Sequence, residues 1–164
     1  MARVVALAAL SVAALLLVST ATPATVAKQH IVFIYAPRGV SNNCAHVLPL
    51  KRVAPSPALL TGAMRALLAG PTMAERRRGY GGWLSAKTAG SLRSVRVTGG
   101  TAYVDFRSFS SRIPNASTSC GSALLLAQLD RTAKQFPTVK HTVYSFNGSR
   151  HAFYDWLQRE PPEE

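Results

Sequence analysis

Residues 92–106 read LRSVRVTGGTAYVDF. Leu92 to Thr98 and Thr101 to Phe106 are rich in β-branched and aromatic residues that alternate with polar ones. Between them stands Gly99-Gly100, a two-residue turn in which both positions accept positive φ. The stretch predicts a β-hairpin. Val95 and Val97 mark the expected buried face of its first strand. Ala102, Val104 and Phe106 mark that face on the second, with Tyr103 and Asp105 opposite.

Upstream of the hairpin, Gly79 to Gly90 reads as loop, broken by Gly79, Gly81, Gly82 and Gly90. No strand precedes Gly79-Tyr80-Gly81-Gly82-Trp83, so it lacks the context of a phosphate loop. Trp83 reads as a core plug, with an aromatic ligand platform as the alternative. Before the loop, Thr72 and Glu75 form a capping box that starts a short helix carrying Arg76, Arg77 and Arg78. A longer helix precedes it. Ser56 is its expected N-cap and Pro57 its first residue. Leu60, Met64, Leu67 and Leu68 form one apolar face, and Gly70-Pro71 stops it. Two extended segments come earlier still: His30 to Tyr35, and His46 to Val53, where Pro49 favours an edge position.

Downstream, Ser108 to Ser119 is polar and irregular. A second long helix opens at Cys120, with Ser122, Leu125, Leu126, Leu129, Ala133 and Phe136 on its apolar side, and Pro137 ends it. Thr138 to Phe146 is a further strand and Asn147-Gly148 a turn. Residues 152–164 form a short terminal helix and tail. The elements predict a two-layer α/β (α+β) sandwich, two main helices packed on a mixed β-sheet.

At the other end, Arg3 precedes an apolar run from Val4 to Val18, and small residues follow to Ala27. That order is the n-region, h-region and cleavage zone of a signal peptide, and the run is short for a membrane span. Residues 1–27 are therefore expected to be a leader cleaved after Ala21, Ala24 or Ala27, or else retained as an N-terminal anchor. Residues 28–164 form one domain. No cysteine lies just after the apolar run, so a lipoprotein-type anchor is not expected.

Export changes the meaning of the charge. The 164-residue chain carries 19 Lys and Arg against 7 Asp and Glu. Inside a cell that excess would suggest nucleic acid. Outside, anionic wall polymer or lipid headgroups are the available anions, so nucleic acid is not expected as a partner. Arg76, Arg77 and Arg78, joined by Lys51, Arg52, Arg93 and Arg96, form the candidate anion-binding patch; a solvated face is the bland alternative. Cys44 and Cys120 are the two cysteines, and an exported domain pairs them. A Cys nucleophile is one alternative. Zinc is another, without CxxC or HxxxH spacing to support it. His30, His46, His141 and His151 are scattered and suggest no metal. A Ser-His-Asp site using Asp105 with His141 or His151 lacks a GxSxG elbow.

Three stretches in order resemble the GerMN domain of bacterial sporulation and germination proteins: Ala66 to Thr72 with Glu75, Leu92 to Phe106, and Gln128 to Gly148. The resemblance covers about residues 30 to 150. It implies an extracytoplasmic bacterial domain with a fold similar to the ring-building domains of sporulation secretion complexes. It implies no enzyme, no cofactor and no catalytic residues. The expected function is a non-catalytic module of the cell envelope, secreted or on the outer face of the membrane, that binds a protein partner or self-assembles. Binding of an anionic wall polymer or lipid surface is the alternative, and a small hydrolase a further one.

Overall fold

The computed structural model describes residues 28–163, so the leader read at residues 1–27 lies outside the described residues. Strand β1 (Gln29–Ala36) pairs antiparallel with β2 (Leu48–Pro55), placing Ile34 opposite Leu50. Val32, Ile34 and Ala36 alternate inward. Pro49 and Pro55 are tolerated in β2 because β1 is its only strand neighbour among the described residues. Helices α1 (Leu59–Ala69) and α2 (Met73–Arg77) follow. Strands β3 (Leu92–Thr98) and β4 (Thr101–Phe106) form the hairpin, turning through Gly99 and Gly100 at φ 56° and 78°. Helix α3 (Ser119–Lys134) crosses over to β5 (His141–Phe146), which pairs parallel with β4, and α4 (Arg150–Trp156) closes the fold.

The α/β class is as expected, and the mixed sheet is β3-β4-β5. Strands β1 and β2 stand apart from it as a separate ladder. The reason lies in α3. Phe33 N donates to Gln135 Oε1 at 2.8 Å, and Gln135 Nε2 returns a bond to Phe33 O at 2.7 Å. Tyr35 N donates to Thr132 Oγ1 at 3.3 Å, and Gln128 Nε2 donates to Tyr35 O at 3.2 Å. Positions 128, 132 and 135 share one helical face. Their side chains take the place of a third strand along β1, so the backbone of that edge is satisfied without one.

The core lies between the helices and the sheets. Leu67 and Leu68 of α1, Leu125 and Leu129 of α3, and Ala102, Val104 and Phe106 of β4 are all buried there. Phe106, Phe109, Tyr144, Phe146, Phe153 and Trp156 form an aromatic cluster that docks α4 on β5, with Phe146 and Phe153 centroids 5.0 Å apart. Trp83 is half-buried against this core, and its indole N–H donates to Gly121 O at 3.2 Å.

Two local expectations are corrected. Helix α1 starts at Leu59 behind Ala58, and no side chain caps it. Ser56 is instead held by the β1–β2 ladder, donating its N–H to Lys28 O at 2.8 Å. On β3, Val95 is only half-buried and Val97 is 42% exposed. Both lie on the same face as buried Val104 and Ala102, their register partners. Strand β3 is the edge of its sheet, where side chains have a neighbouring strand on one side only.

Candidate functional site

Helix α2 organises one end of the domain. Thr72 Oγ1 accepts from Glu75 N at 3.2 Å, and Glu75 Oε2 accepts from Thr72 N at 2.7 Å, which is the predicted capping box. Glu75 is buried. It also takes both terminal nitrogens of Arg52, each at 2.7 Å. The Arg52 guanidinium is the main reason that the Glu75 carboxyl is lowered from 4.5 to about 2, against the opposing effect of burial. Arg52 is therefore a structural partner of Glu75 rather than a free cation of the patch. Sequence reading found the capping box but not this ion, which comes from β2.

The arginines after Glu75 meet a residue that sequence reading passed over, Arg38. A short backbone pairing brings the loop after β1 to the loop after α2. Gly39 N donates to Gly79 O at 3.1 Å and Gly81 N to Pro37 O at 3.0 Å. Arg38 Nε then donates to Arg78 O at 3.0 Å. The guanidinium carbons of Arg38 and Arg78 lie 5.4 and 5.8 Å from the Tyr80 ring centroid. Arg76 turns back to donate to Pro71 O at 3.1 Å. Of the other predicted cations, Lys51 is exposed on β2 opposite Phe33. Arg93 and Arg96 stand on β3, in the other sheet, and make no hydrogen bond or ion pair to α2 among the described residues. Arg93 binds Asp105 at 2.8 Å, and Arg96 covers the Tyr103 ring at 4.4 Å.

The two edges of the three-stranded sheet differ. On β5, Tyr144 N donates to Tyr154 Oη at 3.3 Å and Phe146 N to Ser149 O at 3.0 Å, so the chain closes that edge itself. A groove of about 840 Å³ runs beside it, lined by Tyr103, Asp130, His141 and Tyr144 among others. Asp130 Oδ1 accepts from Thr142 Oγ1 at 2.8 Å and Tyr144 Oη at 2.7 Å. Burial first, and Asp130 second, hold the Tyr144 phenol protonated well above its ordinary range. Among the described residues, edge β3 carries no such closure. In a two-residue hairpin, Thr98 and Thr101 form the first hydrogen-bonded pair, so Val97 opposite Ala102 and Val95 opposite Val104 are non-bonded pairs. The N–H and C=O of Val95 and Val97 therefore point away from β4, toward the open side.

The remaining candidates are placed as follows. Cys44 and Cys120 are joined by a disulfide, Cα–Cα 5.2 Å, which ties the loop before β2 to the start of α3. Asp105 accepts from Arg93, Ser145 Oγ and Gly148 N, and neither His141 nor His151 is among its partners. The four histidines stand on four different segments, and among the described residues no group of His, Cys, Asp or Glu could hold a metal ion. No described helix is long and apolar enough to cross a membrane.

Residues 32–151 match the family described as Germane, sporulation and spore germination. The fold is similar to the tandem GerMN domains of the sporulation protein GerM from Bacillus subtilis, with TM-score 0.52 and 19% identity over 74% of this chain and 40% of that one. The chain thus spans well under half of that tandem structure. The first GerMN domain of the same protein also matches, at TM-score 0.49 and 18% identity over 73% of this chain and 84% of that one. No curated protein matches the chain. The family match extends over most of the chain, from β1 into α4, and the protein belongs to the Germane, or GerMN, family of sporulation and spore-germination domains.

Proposed function

We propose that this chain is a non-catalytic extracytoplasmic module of the bacterial envelope that binds a partner protein, taking an extended segment of it along the open edge of β3. The observation that carries this reading is the edge itself. Val95 and Val97 present backbone donors and acceptors outward, and the Val97 side chain is 42% exposed. An added strand would satisfy that backbone and cover that side chain, as in strand-addition recognition.

The side chains favour a particular partner. Arg93 and Arg96 occupy exposed positions of β3, so an acidic residue across from them is stabilising and a basic one is not. A second copy adding its own β3 would bring two more arginines to the same edge, which favours a different, acidic-apolar segment over self-pairing. The disulfide supports an oxidising compartment.

The test is binding of an alternating Glu/Val peptide and an alternating Lys/Val peptide to the wild-type protein and to Val97→Pro. Proline at an outward-facing edge position removes a donor without breaking the β3–β4 ladder. The acidic peptide should bind and the basic one should not, with binding lost in Val97→Pro. Equal binding by the variant would remove β3 from the site.

A further inference from the structure

Among the described residues, five large apolar side chains stand exposed: Ile31, Val40, Val53, Met73 and Val97. Ile31 and Val53 face each other across β1 and β2, and Val97 lies on β3. The other two belong to no strand. Val40 is 103% exposed and Met73 68% exposed, and both lie at the arginine-rich end. Val40 follows Gly39, whose N–H is bonded to Gly79 O. Met73 opens α2 and precedes Arg76 and Arg77 by three and four residues, the spacing of one helical face. Glu75 faces the other way, toward Arg52.

The cations around these two side chains are uncommitted. Arg38 uses Nε on Arg78 O, and its terminal nitrogens make no further hydrogen bond or ion pair among the described residues. The guanidiniums of Arg77 and Arg78 make none either, and those of Arg38 and Arg78 lie over the Tyr80 ring. The nearby acid, Glu75, is already matched by Arg52. This end therefore combines a positive field, an amphipathic tyrosine and two bare apolar side chains.

We propose that this end of the domain docks on an anionic phospholipid surface, with Arg38, Arg77 and Arg78 meeting headgroup phosphates and Val40 and Met73 entering the boundary of the acyl chains. A soluble polyanion would use the arginines but would leave Val40 and Met73 in water. A lipid interface uses both, because it rewards apolar burial and basic charge together. Tyr80 suits the same boundary, with an apolar ring and a polar tip. The proposal goes beyond partner binding at β3 and does not depend on it, since β3 contributes no residue to this surface.

The experiment is co-sedimentation of the full chain with phosphatidylcholine vesicles and with phosphatidylglycerol/phosphatidylcholine vesicles across a salt series. An apolar leader, if retained, acts alike in every variant, so the comparison isolates the surface. Each arginine near an anionic surface is worth about fivefold in affinity. Arg38→Gln/Arg77→Gln/Arg78→Gln should therefore lose roughly 100-fold on the anionic vesicles at low salt. The equally charged control Arg65→Gln/Lys87→Gln/Arg131→Gln should lose far less. Arg77→Gln alone removes no hydrogen bond or ion pair among the described residues, and its expected loss of about fivefold guards against a folding artefact. Val40→Ser/Met73→Ser should weaken vesicle binding roughly tenfold and leave any binding to soluble poly(glycerol phosphate) unchanged. An equal loss in the control triple variant would overturn the proposal. Full vesicle binding by Val40→Ser/Met73→Ser would overturn it too, leaving a general polyanion site.

Discussion

Replacing Glu75 by glutamine should destabilise the domain by an amount that depends on pH. The carboxylate holds Arg52 through two 2.7 Å bonds and caps α2 through Thr72 N. Glutamine keeps a cap-like side chain but leaves the Arg52 guanidinium, whose side chain is only 16% exposed, without its counter-ion. Lowering the carboxyl from 4.5 to about 2 corresponds to about 3 kcal/mol of stability at neutral pH. The sign follows from the direction of the shift. A depressed folded-state value means that the unfolded chain binds the proton first as pH falls. The stabilisation is thus complete above about pH 5. It falls to less than half of its full value near pH 3 and to about a tenth of it near pH 2. Urea unfolding of wild type and Glu75→Gln at pH 7, 5, 3 and 2 reads this directly. The two proteins should differ by about 3 kcal/mol at pH 7 and converge near pH 2. A gap below about 0.5 kcal/mol at pH 7, the scale of an exposed pair, would refute the reasoning. So would a gap that does not close with acid.

Two further perturbations test the frame. Cys44→Ser/Cys120→Ser opens a 76-residue separation and should cost about 4 kcal/mol on the chain-entropy account, measured by denaturant unfolding against the oxidised wild type; an unchanged midpoint would contradict it. Gly70→Ala should destabilise by more than about 2 kcal/mol, because Gly70 sits at φ 73° and an added Cβ would lie 2.2 Å from Leu84 O; a thermal melt like that of wild type would show that the α1–α2 junction is freer than described.

What was legible in the sequence was local chemistry. Gly99-Gly100 fixed a hairpin because both residues must take positive φ, and they do. Thr72 and Glu75 announced a helix start because the two bonds join residues three apart. The failures were questions of what lies opposite. Period-two alternation correctly grouped Val95 and Val97 with Val104, but it cannot say which strand lies at the edge of the sheet. Ser56 and Pro57 looked like a helix cap because nothing local revealed that Lys28 O would claim the Ser56 N–H. The candidate site followed the same rule. Arg76, Arg77 and Arg78 stood out as a run, whereas Arg38 reaches Arg78 across 40 residues and carries no local signal. Arg52 looked like one more surface cation, since its partner Glu75 is 23 residues away. The division of the strands into two ladders was equally hidden. It depends on Gln128, Thr132 and Gln135 of α3 bonding to the β1 backbone, and polar residues on a helix face do not announce that role.

The reading of this chain as a partner-binding module rests on the open edge of β3, and amide hydrogen exchange at Val95 and Val97 tests it most directly. In the free protein both amides point away from β4 and should exchange fast, while Arg96 N–H, inside the ladder, should be protected. On adding the alternating Glu/Val peptide, Val95 and Val97 should gain protection together and Arg96 should change little. Protection of Val95 and Val97 already present in the free protein would contradict the account. So would peptide binding that protects residues elsewhere and leaves these two amides exchanging fast.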